Sequence, residues 1–112
     1  MVQSETSRDG TFFVTTVANE RRRIFQAERT AQLLIETLQH YRHEGRYRLH
    51  AFVVMPDHVH LLITPQDTTI ERAVGLIKGG FSHRLRSKLQ VWQTGYVDHR
   101  CRNAEEFIAR RE

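Results

Sequence analysis

The chain has 112 residues, 39% hydrophobic and 27% charged, which allows one modest core and excludes both a disordered chain and two comfortable domains. Its formal charge of +4, carried by 15 Arg and only 2 Lys against 13 acidic residues, points to nucleic acid as the partner class, although an arginine bias can also reflect the base composition of a genome. No apolar run approaches membrane-spanning length, the first ten residues lack a secretory signal, and the single cysteine, Cys101, excludes an intrachain disulfide or a multi-cysteine zinc site; a cytoplasmic protein is expected, whose metal ligands would be histidines or oxygens.

In chain order, Thr11 to Ala18 is rich in β-branched and aromatic residues and follows the turn pair Asp9-Gly10, so it reads as a first strand with Phe13, Thr15 and Val17 on one face. Arg21, Arg22 and Arg23 follow in a loop. Arg22 and Arg23 are candidates for DNA contact, and an ordinary solvated turn explains the triplet equally simply. From about Glu28 to Glu44, Ala31, Leu34, Ile35, Leu38 and Tyr41 recur at helical spacing, and Gly45 stands where a helix commonly needs a left-handed terminal residue. Tyr47 to Met55 and His58 to Thr64 then read as two strands of a hairpin, joined by a turn in which Pro56 supplies the fixed φ.

Thr68 with Glu71 matches a capping box, and Ile70, Ala73, Val74, Ile77, Phe81 and Leu85 carry a second helix to about Leu89. Three glycines interrupt it: Gly75 and the pair Gly79-Gly80. Each costs about 1 kcal/mol relative to alanine, and close packing on a neighbour is the favoured reason, with approach of a nucleic-acid backbone as the other. Lys78, Arg84, Arg86 and Lys88 make the densest positive stretch outside the arginine triplet and are the leading phosphate-contact candidates. Val91 to Val97 reads as a fourth strand, with Trp92 anchoring the core edge. Asn103 is placed to cap a final helix containing Phe107 and Ile108, which ends at Glu112 without a stop signal, as though cut in mid-element.

Strand, helix, strand, strand, helix, strand is the split βαβ order of a ferredoxin-like α+β fold, a four-stranded antiparallel sheet with two covering helices and, here, the start of a C-terminal helix. The whole chain, 1–112, reads as one domain, with the first and third strands central. His58 and His60 then project side by side from a rigid strand while Val59, Leu61 and Ile63 point to the core. Two polar residues on the wetter face of a strand would look the same, so spacing alone leaves metal binding open.

The longer string Val-Val-Met-Pro-Asp-His-Val-His-Leu-Leu-Ile, residues 53–63, resembles the histidine, hydrophobic residue, histidine (HUH) signature of single-tyrosine transposases, and most closely that of REP-associated tyrosine transposases. The resemblance runs from about Phe12 to the end of the chain. It implies cleavage and transfer of single-stranded or hairpin DNA, with His58 and His60 holding a divalent Mg²⁺ or Mn²⁺ ion. In such proteins a stretch like Trp92 to Tyr96 with Asp98-His99-Arg100 precedes a helix bearing the nucleophilic tyrosine. By that likeness the tyrosine falls just after Glu112, leaving no catalytic nucleophile in this chain and the chain inactive alone. Tyr41, Tyr47 and Tyr96 read as structural. Both a homodimer and a monomer agree with the resemblance.

Two other readings follow from the same residues. One is a domesticated or decayed domain that binds single-stranded nucleic acid without cutting it. The other is a small metal-dependent hydrolase in which His99 joins His58 and His60 as a third ligand.

Overall fold

The computed structural model describes residues 10–101. Strand β1 (Thr11–Val17) leads through two single 3₁₀ turns (Asn19–Arg21 and Ile24–Gln26) into helix α1 (Glu28–His43), followed by β2 (Tyr47–Met55), β3 (His58–Pro65), helix α2 (Ile70–Leu85) and β4 (Val97–Cys101). The four strands form one antiparallel sheet in the order β2-β3-β1-β4, so β1 and β3 are central, as the βαββαβ reading requires. The expected final helix from Asn103 lies outside the described residues.

Alternation along the central strands separates two faces. Phe12 and Val14 of β1 and Val59, Leu61 and Ile63 of β3 are buried with Leu34 and Leu38 of α1 and Ile70, Val74, Ile77 and Phe81 of α2, forming the core between sheet and helices. Thr15, His58 and His60 take the opposite face. That second face carries the candidate site.

Local terminators follow backbone chemistry. Gly45, at φ +79°, closes α1 with paired bonds from Gly45 N to the Arg42 carbonyl (3.0 Å) and from Arg46 N to the Tyr41 carbonyl (3.1 Å). Helix α2 starts one residue later than the capping-box reading placed it. Thr69 rather than Thr68 is the cap, its hydroxyl accepting from Arg72 N at 3.2 Å. The helix stops at Leu85, short of Leu89, because Arg86 adopts a left-handed conformation.

The fourth strand is also displaced from its expected place at Val91 to Val97. Val91 and Trp92 are drawn into the core, where Trp92 packs on Phe25 and Phe81 with ring centroids 5.6 and 5.5 Å away and donates from Nε1 to the Lys78 carbonyl at 3.0 Å. This segment makes only an isolated bridge, Ala18 to Trp92. The chain then turns at Gly95 (φ +80°), and regular pairing with β1 begins at Val97. An edge strand tolerates polar residues such as Asp98 and Arg100, which is why a polar run could become β4.

The glycines of α2 divide by surroundings. A Cβ at Gly80 would stand 2.7 Å from Tyr41 Oη and 2.8 Å from Tyr41 Cε2, so packing against α1 accounts for Gly80, whereas no described neighbour lies within 4 Å of a Cβ at Gly75 or Gly79. Gly75→Ala and Gly79→Ala should therefore each raise unfolding free energy by up to about 1 kcal/mol, and Gly80→Ala should lower it by about 1–3 kcal/mol through overpacking. Urea unfolding of the three variants tests the contrast, and a stabilised Gly80→Ala would show that Tyr41 moves aside at little cost.

Candidate metal and nucleic-acid site

The site begins with the two-residue turn Pro56-Asp57. Met55 pairs with His58 across it, and the loop after β1 clamps it from outside: Ala18 N donates to the Asp57 carbonyl at 2.9 Å and Phe25 N to the Pro56 carbonyl at 3.0 Å. The next residues of β3 raise His58 and His60 on the face away from the helices. His60 is paired with Thr15 on one side and Val53 on the other, and His58 with Val17 and Met55.

The two imidazoles meet edge to face, with ring centroids 4.7 Å apart and Nε2 atoms 3.2 Å apart. Each Nδ1 has a different oxygen partner: Asp57 Oδ1 lies 2.7 Å from His58 Nδ1, and Thr15 Oγ1 lies 3.0 Å from His60 Nδ1. Phe13 stacks on the His60 ring at 5.4 Å. Asp57 in turn receives Arg21 Nη1 at 3.1 Å on its other oxygen. With the Nδ1 protons donated to these outer oxygens, both Nε2 lone pairs would converge on one point, as in histidines that bind a metal through Nε2 while a neighbouring oxygen holds Nδ1.

Distance supports that reading. Two nitrogens bound to one ion by bonds of about 2.1 Å stand about 3.0 Å apart at octahedral and about 3.4 Å at tetrahedral angles, and the Nε2 separation lies between. Burial, and then the neighbouring His58, push the His60 imidazole below the usual histidine range, so its neutral, ligating form persists to lower pH. The Asp57 carboxyl is also held below its usual range, chiefly by the hydrogen bond with His58. The donors fit an ion with open positions. Among the described residues, no group of three His, Cys, Asp or Glu side chains is arranged to hold one.

His99 lies on the same face of the sheet, opposite Phe13 and two positions along from the Thr15 and His60 pair. The hydrolase reading, with His99 as a third ligand, therefore has no assembled triad among the described residues. The three tyrosines also stand apart from the pair. Tyr47 is buried and donates to the Leu38 carbonyl at 2.7 Å, Tyr41 packs on α2 at Gly80, and Tyr96 packs against the core on the helix side.

The basic residues singled out in the sequence are scattered. Lys78 ties α2 to the segment before β4, its Nζ 3.1 Å from the Gln93 carbonyl and 2.7 Å from that of Gly95, and burial lowers its pKa. Arg84 sits 6.0 Å over the Tyr41 ring and donates to the Gly80 carbonyl at 3.1 Å. Arg86 and Lys88 are exposed beyond the helix end. Arg22 donates to the Asn19 and Gln90 carbonyls, while Arg23 is exposed between the two 3₁₀ turns. Sequence reasoning passed over Arg21, Thr15 and Asp57 as working parts of the site. Only Asp57 carried a signal, as the residue before His58.

If Asp57 and Thr15 orient the imidazoles, Asp57→Asn and Thr15→Val should each weaken Mn²⁺ binding by about 10–100-fold without unfolding the chain. Isothermal titration with circular dichroism as the folding control measures this; unchanged affinity in both would remove them from that role.

The described residues thus form an α+β fold whose sheet carries two convergent histidines on the face away from the helices. A model of the family Transposase IS200 like matches residues 8–110, and the chain belongs to that family. No curated protein matches the chain. Among solved structures, a REP-associated tyrosine transposase bound to a REP hairpin shares the fold at TM-score 0.82 and 23% identity, over 99% of this chain and 67% of the other. A candidate transposase of Deinococcus radiodurans R1 shares it at TM-score 0.70 and 20% identity, over 97% of this chain and 90% of the other.

Proposed function

We propose that the domain binds single-stranded DNA folded into a hairpin and serves metal-dependent strand cleavage and transfer in DNA transposition. The observation that carries the reading is the convergence of His58 Nε2 and His60 Nε2, each backed at Nδ1 by an oxygen, in a member of the IS200-like transposase family. The REP hairpin held by the structural relative supports a folded single strand as substrate.

In the proposed reaction a tyrosine oxygen attacks the scissile phosphorus, gives up its proton and displaces the 3′ oxygen, forming a 5′-phosphotyrosine and a free 3′-hydroxyl. Mg²⁺ or Mn²⁺ held by His58 and His60 would supply charge neutralisation on the phosphate and a template for its orientation. Asp57 and Thr15 hold the imidazole tautomers, and Arg21 holds Asp57. The tyrosine is proposed to follow Glu112, since the three tyrosines of the sequence lie on the other side of the sheet.

That placement of the tyrosines equally favours a second reading, a non-catalytic binder of single-stranded nucleic acid. Incubation of a labelled hairpin with Mn²⁺ separates the two, comparing the 112-residue chain with one extended by the codons that follow at its locus. Cleavage only by the extended chain supports the transposase reading. Binding without cleavage by either supports the binder, and binding by neither overturns both.

A further inference from the structure

Beyond the histidine pair, a concave surface lies at the other end of β2. A cavity of about 680 Å³ is lined there by Arg42, His43, Arg48, His50 and Gln66 among others, with no carboxylate among the described residues of its wall. It adjoins a second cavity of about 330 Å³ that shares Arg42, Leu49 and His50 and continues past Ala51 and Phe52. Together they make a trough along the outer edge of the sheet, since β2 is an edge strand.

Among the described residues, no carboxylate pairs with Arg42 or Arg48. Glu44 and Asp67, the acidic residues that flank the trough in sequence, turn onto Arg46 at 3.3 and 3.8 Å, and Glu44 also meets His40 at 3.1 Å. Arg42 and Arg48 are both exposed. A bulge between Leu49 and Ala51 makes His50 an extra residue in the strand, and its Nε2 lies 2.7 Å from Thr64 Oγ1 of β3. Bulges commonly re-aim a side chain in this way beside binding sites.

Direction matters as much as charge. Past Phe52 the same strand carries Val53 and Met55, exposed by 49% and 39%, and these stand opposite His60 and His58. From Arg48 to Met55 the strand covers about 23 Å, room for about seven stacked nucleotides. A cationic stretch followed by exposed apolar side chains, ending at the two imidazoles, suits a single strand whose phosphates lie at one end and whose bases cover the apolar part.

We propose that this trough, through Arg42 and Arg48, is the track for a single-stranded DNA segment continuing from the hairpin toward His58 and His60. The assignment rests on the hairpin-binding reading above. It adds a phosphate-contact surface separate from the arginine triplet and from the Lys78 to Lys88 stretch.

The test is fluorescence anisotropy of a blunt hairpin and of the same hairpin with a single-stranded oligothymidine extension, across a salt series with chelator present so that metal binding does not enter. Wild type should bind the extended probe more tightly. Arg42→Gln/Arg48→Gln should lose about 10-fold on that probe at low salt and lower its salt slope by about 1.4, with the blunt hairpin unaffected. Arg42→Lys/Arg48→Lys should restore the slope, and Arg29→Gln/Arg72→Gln, removing equal exposed charge elsewhere, should leave it unchanged. If the extension adds nothing in wild type, or the glutamine pair binds it as wild type does, the track is wrong while hairpin binding stands. Absence of binding to either probe by wild type overturns the hairpin reading and the track with it.

Discussion

Replacing His58 and His60 together with alanine should lower Mn²⁺ affinity by more than about 100-fold, beyond the loss expected for either outer partner, because it removes the ligating nitrogens themselves. The fold should persist. Both side chains lie on the face away from the helices and neither belongs to the core, so loss of metal should appear without loss of the circular dichroism spectrum. In a chain competent for cleavage the double variant should also lose strand nicking while still binding the hairpin, since the proposed hairpin and strand contacts use other residues. Isothermal titration and a gel assay read the two effects separately; full Mn²⁺ affinity in the double variant would show that the convergent nitrogens are not the ligands.

Trp92→Ala should lower the free energy of unfolding by about 3–5 kcal/mol, a large share of the 5–15 kcal/mol typical of a domain. The indole fills the gap between Phe25 and Phe81, and its N–H satisfies the Lys78 carbonyl on α2. Removing it opens a cavity and removes one of the bonds that fasten the segment before β4 to the helix layer. Lys78 makes the neighbouring fastening through Gln93 and Gly95, so the damage should spread to the pairing of β4 with β1. Urea unfolding gives the number, and a cost below about 1 kcal/mol would mean that Phe25 and Phe81 close the gap between them.

Most of the architecture is legible in residue order because alternation along β1 and β3 and the 3.6-residue spacing of the helices assign faces without knowledge of the partners. His58 and His60 stand where the alternation puts them. The tautomer-fixing oxygens were harder to see, since Thr15 is forty-five residues from His60 and becomes its neighbour only through the β1 to β3 pairing. The displaced fourth strand shows another limit. Val91 and Trp92 have strand-forming side chains, but the apolar space beside Phe25 and Phe81 takes them, and Val97 to Cys101 pairs instead. Lys78 reads in sequence as a phosphate contact, while in the folded chain its ammonium group holds two backbone carbonyls.

Pairing of β1 with β3 sets Thr15 against His60 and Val17 against His58. A slip of that pairing by one position would turn every side chain of one strand to the other face, sending both imidazoles into the apolar layer and Val59 and Leu61 into water. Misregistered forms of this sheet are thus penalised twice, by buried histidine and by exposed aliphatic surface. The residues that would grip the ion also act as a proofreading device for the fold, so that a correctly threaded sheet and a competent ligand pair are selected by the same event.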